Sequence, residues 1–223
     1  MREIVLDTET TGLAPGDGHR IVEIAGLELI NHVPTGRFFH RYLNPERSMP
    51  SDAMAVHGLS DEFLATHVRF AEVVEEFLDF IGTAPLVIHN AAFDIGFLNA
   101  ELARLDRPAL GLAVADTLAL ARKRYPGAPA SLDALCKRFN IDNSERTMHG
   151  ARIDCELLAA VYLELIGGRQ PGFELAAAGI ATGADLTRER RQRPPRSFPP
   201  TAAEFERHRV FLEKLKSPIW LGE

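Results

Sequence analysis

The sequence predicts an α/β protein with a mixed central sheet, flanking helices and a flexible C-terminal tail. Three consecutive segments near the N-terminus are rich in branched and aromatic residues and are separated by stretches that contain Gly or Pro, which favours a meander of strands. Further along, short apolar segments alternate with segments of helical periodicity, which indicates parallel pairing of the later strands. After Gly167 and Gly168 the chain becomes rich in Arg, Pro and small residues, a composition typical of linkers.

The first half of the chain before Gly167 is predicted as three strands, two short helical segments and one longer helix. The longer helix is predicted because Phe70, Phe77 and Ile81 belong to a set of apolar residues at helical spacing. In chain order, the ranges are 3–8, 20–31, 36–43, 51–57, 60–65 and 70–82.

The second half alternates strands and helices. A short buried strand precedes a helix, a second strand leads directly into another helix, Ser131 caps a third helix, and a long amphipathic helix follows. In chain order, the ranges are 86–88, 92–105, 112–116 continuing as helix to about 124, 131–139 and 151–166.

The composition limits the class of protein. A chain of 223 residues with 46% hydrophobic content can bury one sizeable core, so we expect one domain with an appendage. Cys136 and Cys155 lie far apart in helix-like segments, which favours packing in a reducing compartment over a disulfide framework. The first strand begins almost at the N-terminus and no apolar run approaches the length of a membrane span, so we expect a cytoplasmic protein without a membrane partner.

Three separated blocks of the chain carry acidic residues at the ends of predicted elements. In the first block an apolar run ends in Asp7 and Glu9, and residues two positions apart on a strand point to the same side. The second block places Asp94 where a helix is predicted to begin, after another apolar run. The third block places His149 just ahead of a helix and Asp154 within its first turn.

These residue types indicate a metal-dependent nuclease. Carboxylate oxygens suit Mg²⁺ or Mn²⁺ better than zinc, and two such ions about 4 Å apart can hold the attacking and leaving oxygens of a phosphoryl displacement. Gathered without cations, the carboxylates would repel one another and raise each other's pKa. A neutral imidazole at His149 can accept the proton of the attacking water near neutral pH.

Each block also has an ordinary structural interpretation. An Asp-x-Glu pair usually lies on the protein surface, and an Asp at a helix start is often an N-cap. The charge of Asp154 could simply be stabilised by the helix dipole. The joint occurrence of the three blocks favours the nuclease site. We interpret His89 as a core histidine and leave it out of the site. Arg146 and the basic run 122–124 are interpreted as exposed charge at helix ends, with phosphate contact as the alternative.

The blocks DTETTG, HNAAFDIGFL and HGARID resemble the three exonuclease motifs of the DEDD superfamily in its histidine-containing branch. Within that branch the chain is similar to the proofreading epsilon-subunit family of bacterial DNA polymerase III. The similarity continues through VHGL at 56–59, SLDALC at 131–136 and Trp220, so it covers nearly the whole chain. This resemblance implies a ribonuclease-H-like exonuclease fold in residues 1–168 and 3′→5′ hydrolysis of DNA ends.

The resemblance also implies a role for each site residue. Asp7, Glu9 and Asp154 would bind two divalent cations directly and contact the substrate, and Asp94 would complete the metal site, partly through water. His149 would be the general base. Two further residues fall where the family contacts the substrate nucleotide, namely Asp52, in a loop, and His57.

The residues after the catalytic domain are predicted to bind partners. Residues 169–200 are predicted as a flexible linker, in which Gln170, Phe173 and Leu175 belong to a segment that resembles short sliding-clamp-binding peptides. An ordinary linker is the alternative. The range 201–223 is predicted to begin with a capping box and a helix to about residue 216, and to end near Trp220, a suitable interface anchor.

The resemblance assigns a partner to this terminal segment. In the family, the tail carries the contact with the polymerase catalytic (alpha) subunit. A short helix and an apolar terminus have too little core to fold stably alone, so we expect them to dock on that subunit, with folding back onto the catalytic domain as the alternative. A small theta-like subunit is a further expected partner.

The net charge of −6 is unusual for a stand-alone DNA-binding protein, which commonly carries a basic face. Residues 1–167 contain 15 Lys and Arg against 24 Asp and Glu, or −9, and the remaining residues contain 10 against 7, or +3. We therefore expect the catalytic region to bind a few nucleotides at a DNA 3′ end and to depend on a partner for residence on DNA. Away from the site, the acidic charge is interpreted as serving solubility.

Three functions compete on this sequence. The leading one is a proofreading subunit that removes mispaired 3′ nucleotides. A stand-alone RNase or oligoribonuclease would use the same five site residues, but the long tail has no evident use in such an enzyme. A polymerase-stabilising adaptor would not need those five residues intact, although the two roles can coexist.

Overall fold

The structure is a computed structural model that describes residues 1–146, 148–167 and 199–215. The chain divides into two units, Met1–Leu175 and Ala176–Glu223. The predictions for four residues lie outside the described residues, namely Gln170, Phe173, Leu175 and Trp220.

The first unit is built on a mixed five-stranded sheet in the order β3-β2-β1-β4-β5. Strands β1, β2 and β3 pair in antiparallel fashion, as expected for a meander, whereas β1, β4 and β5 are parallel. The predicted mixed sheet is confirmed. In chain order, the strands are Arg2–Thr10, Ile21–Ile30, Val33–Tyr42, Leu86–Ile88 and Val114–Asp116.

Seven α-helices accompany the sheet within the described residues of this unit, and their predicted positions agree to within a few residues. A 3-10 turn at Pro15–Asp17 was not predicted. No helix of the described residues is long and apolar enough to span a membrane. Numbered α1 to α7, the helices are Ser51–His57, Asp61–Leu64, Phe70–Ile81, Ala91–Arg104, Thr117–Arg124, Leu132–Phe139 and Ala151–Leu165.

The core lies on both faces of the sheet. Side chains alternate along β1, so Ile4 and Leu6 pack in one apolar cluster with α3 and α4, while Val5 packs in a second cluster with α6 and α7. Phe77 and Leu158 are buried representatives of the two helical layers. A strand covered on both faces needs a continuous apolar run, which explains the sequence pattern of β1.

Helix α7 is fixed to the sheet by polar contacts as well as by apolar packing. The thiol of Cys155 donates to the carbonyl of Val5 at 3.7 Å, and the hydroxyl of Tyr162 donates to Glu3 at 2.8 Å. Cys136 and Cys155 are buried free cysteines, as predicted. These contacts hold α7 across β1 and so determine where its first turn lies.

The second unit contains helix α8, Ala202–Leu212, within the described residues. The predicted capping box is confirmed: the backbone N–H of Thr201 donates to Glu204 at 2.7 Å, and the backbone N–H of Glu204 donates to the Thr201 hydroxyl at 3.3 Å. The helix ends four residues before the predicted end at 216, and a turn follows. Phe205 and Phe211 are exposed on it.

Candidate active site

The candidate site forms where the carboxyl ends of β1 and β4 meet. The two strands are parallel, with Ile4 opposite Leu86 and Val5 opposite Val87, so both run toward the same edge of the sheet. In open α/β sheets this edge is where ligands bind. Glu9 lies near the end of β1, and helix α4 begins shortly after β4 ends.

Asp94 is brought to this edge by the turn from β4 into α4. Asn90 adopts a left-handed backbone conformation with φ of 68°, which asparagine tolerates better than most residues, and this reverses the chain into the helix. Asp94 is buried in the first turn of α4 and accepts a hydrogen bond of 2.7 Å from the hydroxyl of Thr8. The helix cap is Asn90, so Asp94 is not a capping residue.

Helix α7 contributes the third block. Asp154 is buried in its first turn, and His149 precedes the helix with half of its side chain exposed. The backbone N–H of His149 donates to the carbonyl of Val56 at 3.2 Å. Ligand atoms of Glu9, His149 and Asp154 all lie within 4.8 Å of one another.

The electrostatics show that the four carboxylates are close together. Burial raises the pKa of Asp7 well above its ordinary value, and the charges of Asp94, Glu9 and Asp154 raise it further. Burial and the charge of Asp154 raise the pKa of Glu9 to about 8. Burial also raises the pKa of Asp94 to about 7, against the effect of the Thr8 hydrogen bond. This crowded set of oxygen donors fits hard divalent cations, which would relieve the repulsion.

The sequence analysis missed Glu23, a buried carboxylate on β2 that lies opposite Glu9 in the strand register. One oxygen of Glu23 accepts from Nε2 of His40 at 2.7 Å, and the other accepts from the backbone N–H of Ala151 at 3.2 Å. Glu23 therefore anchors the first residue of α7. A charged residue within the apolar run of β2 was the available signal for it.

Arg146 was interpreted as exposed charge, and that interpretation is wrong. Its side chain is only 6% exposed. Nε and Nη2 donate to the two carboxylate oxygens of Asp154 at 2.5 and 2.7 Å, Nη1 donates to Asp133 at 2.7 Å, and Nη2 also donates to Nδ1 of His149 at 2.8 Å. The reason is that residue 146 lies in the loop before α7, facing the acidic cluster, and not at an exposed helix end. The basic residues 122–124 are exposed, as predicted.

A cavity of about 590 Å³ adjoins the cluster, and its lining includes Glu9, Asp52, His57 and Phe93. The motif resemblance placed Asp52 in a loop, which is wrong: Asp52 lies in the first turn of α1, within the range 51–57 that was predicted as helical. His57, in the last turn of the same helix, is buried. The helix thus brings Asp52 and His57 to the same cavity.

His57 is a neutral hydrogen-bond donor beside this cavity. Burial lowers its pKa. Its Nδ1 accepts the backbone N–H of Leu59 at 3.1 Å, so the ring proton is on Nε2. That Nε2 is buried beside the Thr10 backbone and completes no hydrogen bond with the described residues.

His89, which the sequence analysis left out of the site, is half-buried at the end of β4. Its Nδ1 shares a hydrogen bond of 2.9 Å with the hydroxyl of Thr117. Burial lowers the pKa of His89, which keeps the ring neutral. Its described hydrogen bonds reach none of the four carboxylates.

The fold and the acidic cluster together define the class of protein. Residues 4–162 match the family described as Exonuclease. A solved structure of exonuclease X in complex with 5′ overhanging duplex DNA is similar to the chain with a TM-score of 0.58 and 27% identity, over 74% of this chain and 90% of that one. The predicted ribonuclease-H-like exonuclease fold is confirmed by this match.

Full-length relatives narrow the class further. DNA polymerase III subunit epsilon of Rickettsia felis is 48% identical over 96% of this chain and 97% of its own length. DNA polymerase III subunit epsilon of Escherichia coli K12 is 52% identical over 75% of this chain and 72% of its own length. The chain belongs to the DNA polymerase III epsilon-subunit family of exonucleases.

The raised pKa of Glu9 predicts a pH-dependent stability of the metal-free protein. Between the ordinary value of 4.5 and about 8, the folded form holds a proton that the unfolded form has released. Stability should therefore fall as the pH rises through this window, by up to about 1.4 kcal/mol per pH unit for one proton. Urea unfolding in chelator across the window measures this slope.

Glu9→Gln should reduce the slope, while Glu164→Gln, a change at an exposed residue of α7, should leave it unchanged. A metal-free protein that gains stability with rising pH in this window would contradict the crowding of the carboxylates.

Proposed function

We propose that the chain removes mispaired nucleotides from DNA 3′ ends by two-metal-ion catalysis, as the proofreading subunit of a replicative polymerase. The observation that carries this proposal is the convergence of four carboxylates and one histidine beside a cavity of nucleotide size. The names of the relatives support the polymerase context.

Four carboxylates would hold the two cations, either Mg²⁺ or Mn²⁺. Asp7, Glu9 and Asp154 are the proposed direct ligands, and Asp94 completes the site. The cations supply electrostatic stabilisation of the charge that develops on the scissile phosphate. The protein holds the ligands in place through the Thr8 hydrogen bond to Asp94 and through the anchored first turn of α7.

His149 is the proposed general base because its half-exposed ring lies next to Glu9 and Asp154. While Arg146 donates to Nδ1, a neutral ring carries its proton on Nε2, and the lone pair on Nδ1 is covered. The ring therefore has to turn away from Arg146 before it accepts the proton of the attacking water. Its exposure leaves room for that rotation.

The cavity beside Glu9 is the proposed site of the terminal nucleotide. Asp52 and His57 line it and are the proposed contacts of the nucleotide. A cavity that accepts one frayed end favours a mispaired terminus, because a correctly paired terminus must first pay a few kcal/mol to open. Selection of mispairs then requires no base-specific contact.

The remaining partners are proposed from the sequence. The terminal segment with Trp220 would contact the polymerase catalytic (alpha) subunit, and the segment with Gln170, Phe173 and Leu175 would contact the sliding clamp. A small theta-like subunit is a third proposed partner, and the complex would act in the cytoplasm. The charge of −9 in residues 1–167 favours this dependence on partners, since the domain offers little net attraction for phosphates.

The substrate preference tests the proposed function. Mispaired and single-stranded DNA 3′ ends should be cut faster than a fully paired end, and cleavage should require Mg²⁺ or Mn²⁺. Asp7→Ala should abolish cleavage in a folded protein, because removing one of four crowded carboxylates removes a ligand and relieves repulsion. Gel assays with and without chelator measure these rates. A preference for RNA ends would favour the oligoribonuclease, and full cleavage by Asp7→Ala would refute the site.

Replacing His149, the proposed general base, should slow hydrolysis while the substrate still binds. His149→Gln should lower kcat by about 10²- to 10⁴-fold, the usual contribution of a general base. His67→Gln, at a half-buried histidine after α2 and outside the acidic cluster, is the matched control. A near-normal kcat for His149→Gln would show that the ring is not the base.

A variant that separates polymerase binding from hydrolysis tests the proposed role of the terminal segment. Trp220→Ala should weaken co-purification with the polymerase catalytic subunit, because a large buried aromatic anchor often carries much of the binding energy. Hydrolysis of free single strands should stay near normal. A variant that keeps the complex intact but loses hydrolysis would show instead that the tail completes the catalytic domain.

A further inference from the structure

The contacts of Arg146 distinguish it from the other basic residues. Within residues 1–146, 148–167 and 199–215, it is the only Lys or Arg that hydrogen-bonds to one of the four carboxylates. It binds Asp154 through two nitrogens and is itself held by Asp133 on α6, at 2.7 Å. The guanidinium thus connects α6 to the first turn of α7 through a single buried side chain.

The two hydrogen bonds from Arg146 to Asp154 fix the orientation of the Asp154 carboxylate as well as its distance from the guanidinium. A guanidinium that donates two parallel hydrogen bonds to a carboxylate holds the plane of that carboxylate, which a lysine ammonium does not do. An ionised carboxylate has about four lone-pair sites, so two hydrogen bonds leave capacity for another ligand. Arg146 therefore restrains Asp154 without using up its oxygens.

We propose that Arg146 is a positioning residue that orients the carboxylate of Asp154 for divalent-cation binding in the exonuclease reaction. This inference depends on the proposed assignment of Asp154 as a metal ligand. Residues that hold a metal ligand by hydrogen bonds commonly account for about 10- to 100-fold in metal affinity or activity. The sequence gives Arg146 no such role, since it lies outside the three acidic blocks.

The experiment compares a variant that keeps the charge with one that does not. Arg146→Lys keeps the positive charge but loses the two parallel hydrogen bonds, and Arg146→Gln loses both. Calorimetric titration of the full chain with Mn²⁺, without DNA, measures metal affinity directly. We expect both variants to bind Mn²⁺ about 10- to 100-fold more weakly, and to lower kcat on single-stranded DNA more than they change KM. Arg138→Lys, at an exposed residue of α6, is the matched control and should titrate like the unmodified protein.

A second substitution weakens the same contact from its outer side. Asp133 is exposed and lies outside the acidic cluster, so Asp133→Asn removes the charge that holds Nη1 with little risk to folding. It should weaken Mn²⁺ binding in the same direction by about two- to fivefold, the scale of an exposed ion pair. Thermal unfolding of each variant checks that the fold persists.

Several outcomes would overturn the proposal. Unchanged Mn²⁺ affinity in Arg146→Lys would show that charge is sufficient and orientation is not needed. Tighter binding in Arg146→Gln would show that the guanidinium competes with the cation. If Asp154→Asn binds Mn²⁺ as the unmodified protein does, the metal site itself is misplaced, which is a failure of the proposed function and not of Arg146 alone.

Discussion

Repulsion among the four clustered carboxylates is the unfavourable interaction that the rest of the site has to offset. Burial and the neighbouring acids raise the pKa values of Asp7 and Glu9 together. Each element around the cluster opposes that repulsion locally: the Thr8 hydroxyl binds Asp94 from within β1, and Arg146 binds Asp154 from the loop before α7. The apolar layers on both faces of the sheet then hold these elements in place, so a locally unfavourable arrangement persists in the folded protein.

Much of the fold and most of the candidate site were predictable because their signals are local. Strand and helix follow from apolar periodicity, and Asp7, Glu9 and Asp94 each lie at a strand end or a helix start that the same periodicity locates. Parallel pairing of β1 with β4 follows from the alternation of strands and helices. The ordered blocks could therefore be expected to meet at one edge before their contacts were known.

Arg146 and Glu23 were not predictable in the same way, because neither follows from the apolar periodicity of its own segment. Glu23 is separated by 128 positions from Ala151, whose N–H it accepts. The partners of Arg146 lie only 3, 8 and 13 positions away, but Arg146 stands in a loop without helical or strand periodicity, so its burial left no periodic signal. Asp52 was placed in a loop by the motif resemblance, whereas the helix predicted over 51–57 already contained it.

The contact between α7 and β1 also bears on synthesis of the chain. Cys155 hydrogen-bonds to Val5 across 150 positions, so the first and last parts of the catalytic unit depend on each other. Contacts of such high sequence separation form late and are slow to establish. A ribosome-bound chain that has not yet released α7 lacks Asp154. It therefore also lacks the hydrogen bonds between Arg146 and Asp154 and the Ala151 N–H that Glu23 accepts. With Asp154 as a metal ligand, as proposed, fragments that lack α7 would have no complete site, and we expect cleavage only once nearly the whole catalytic unit has been made.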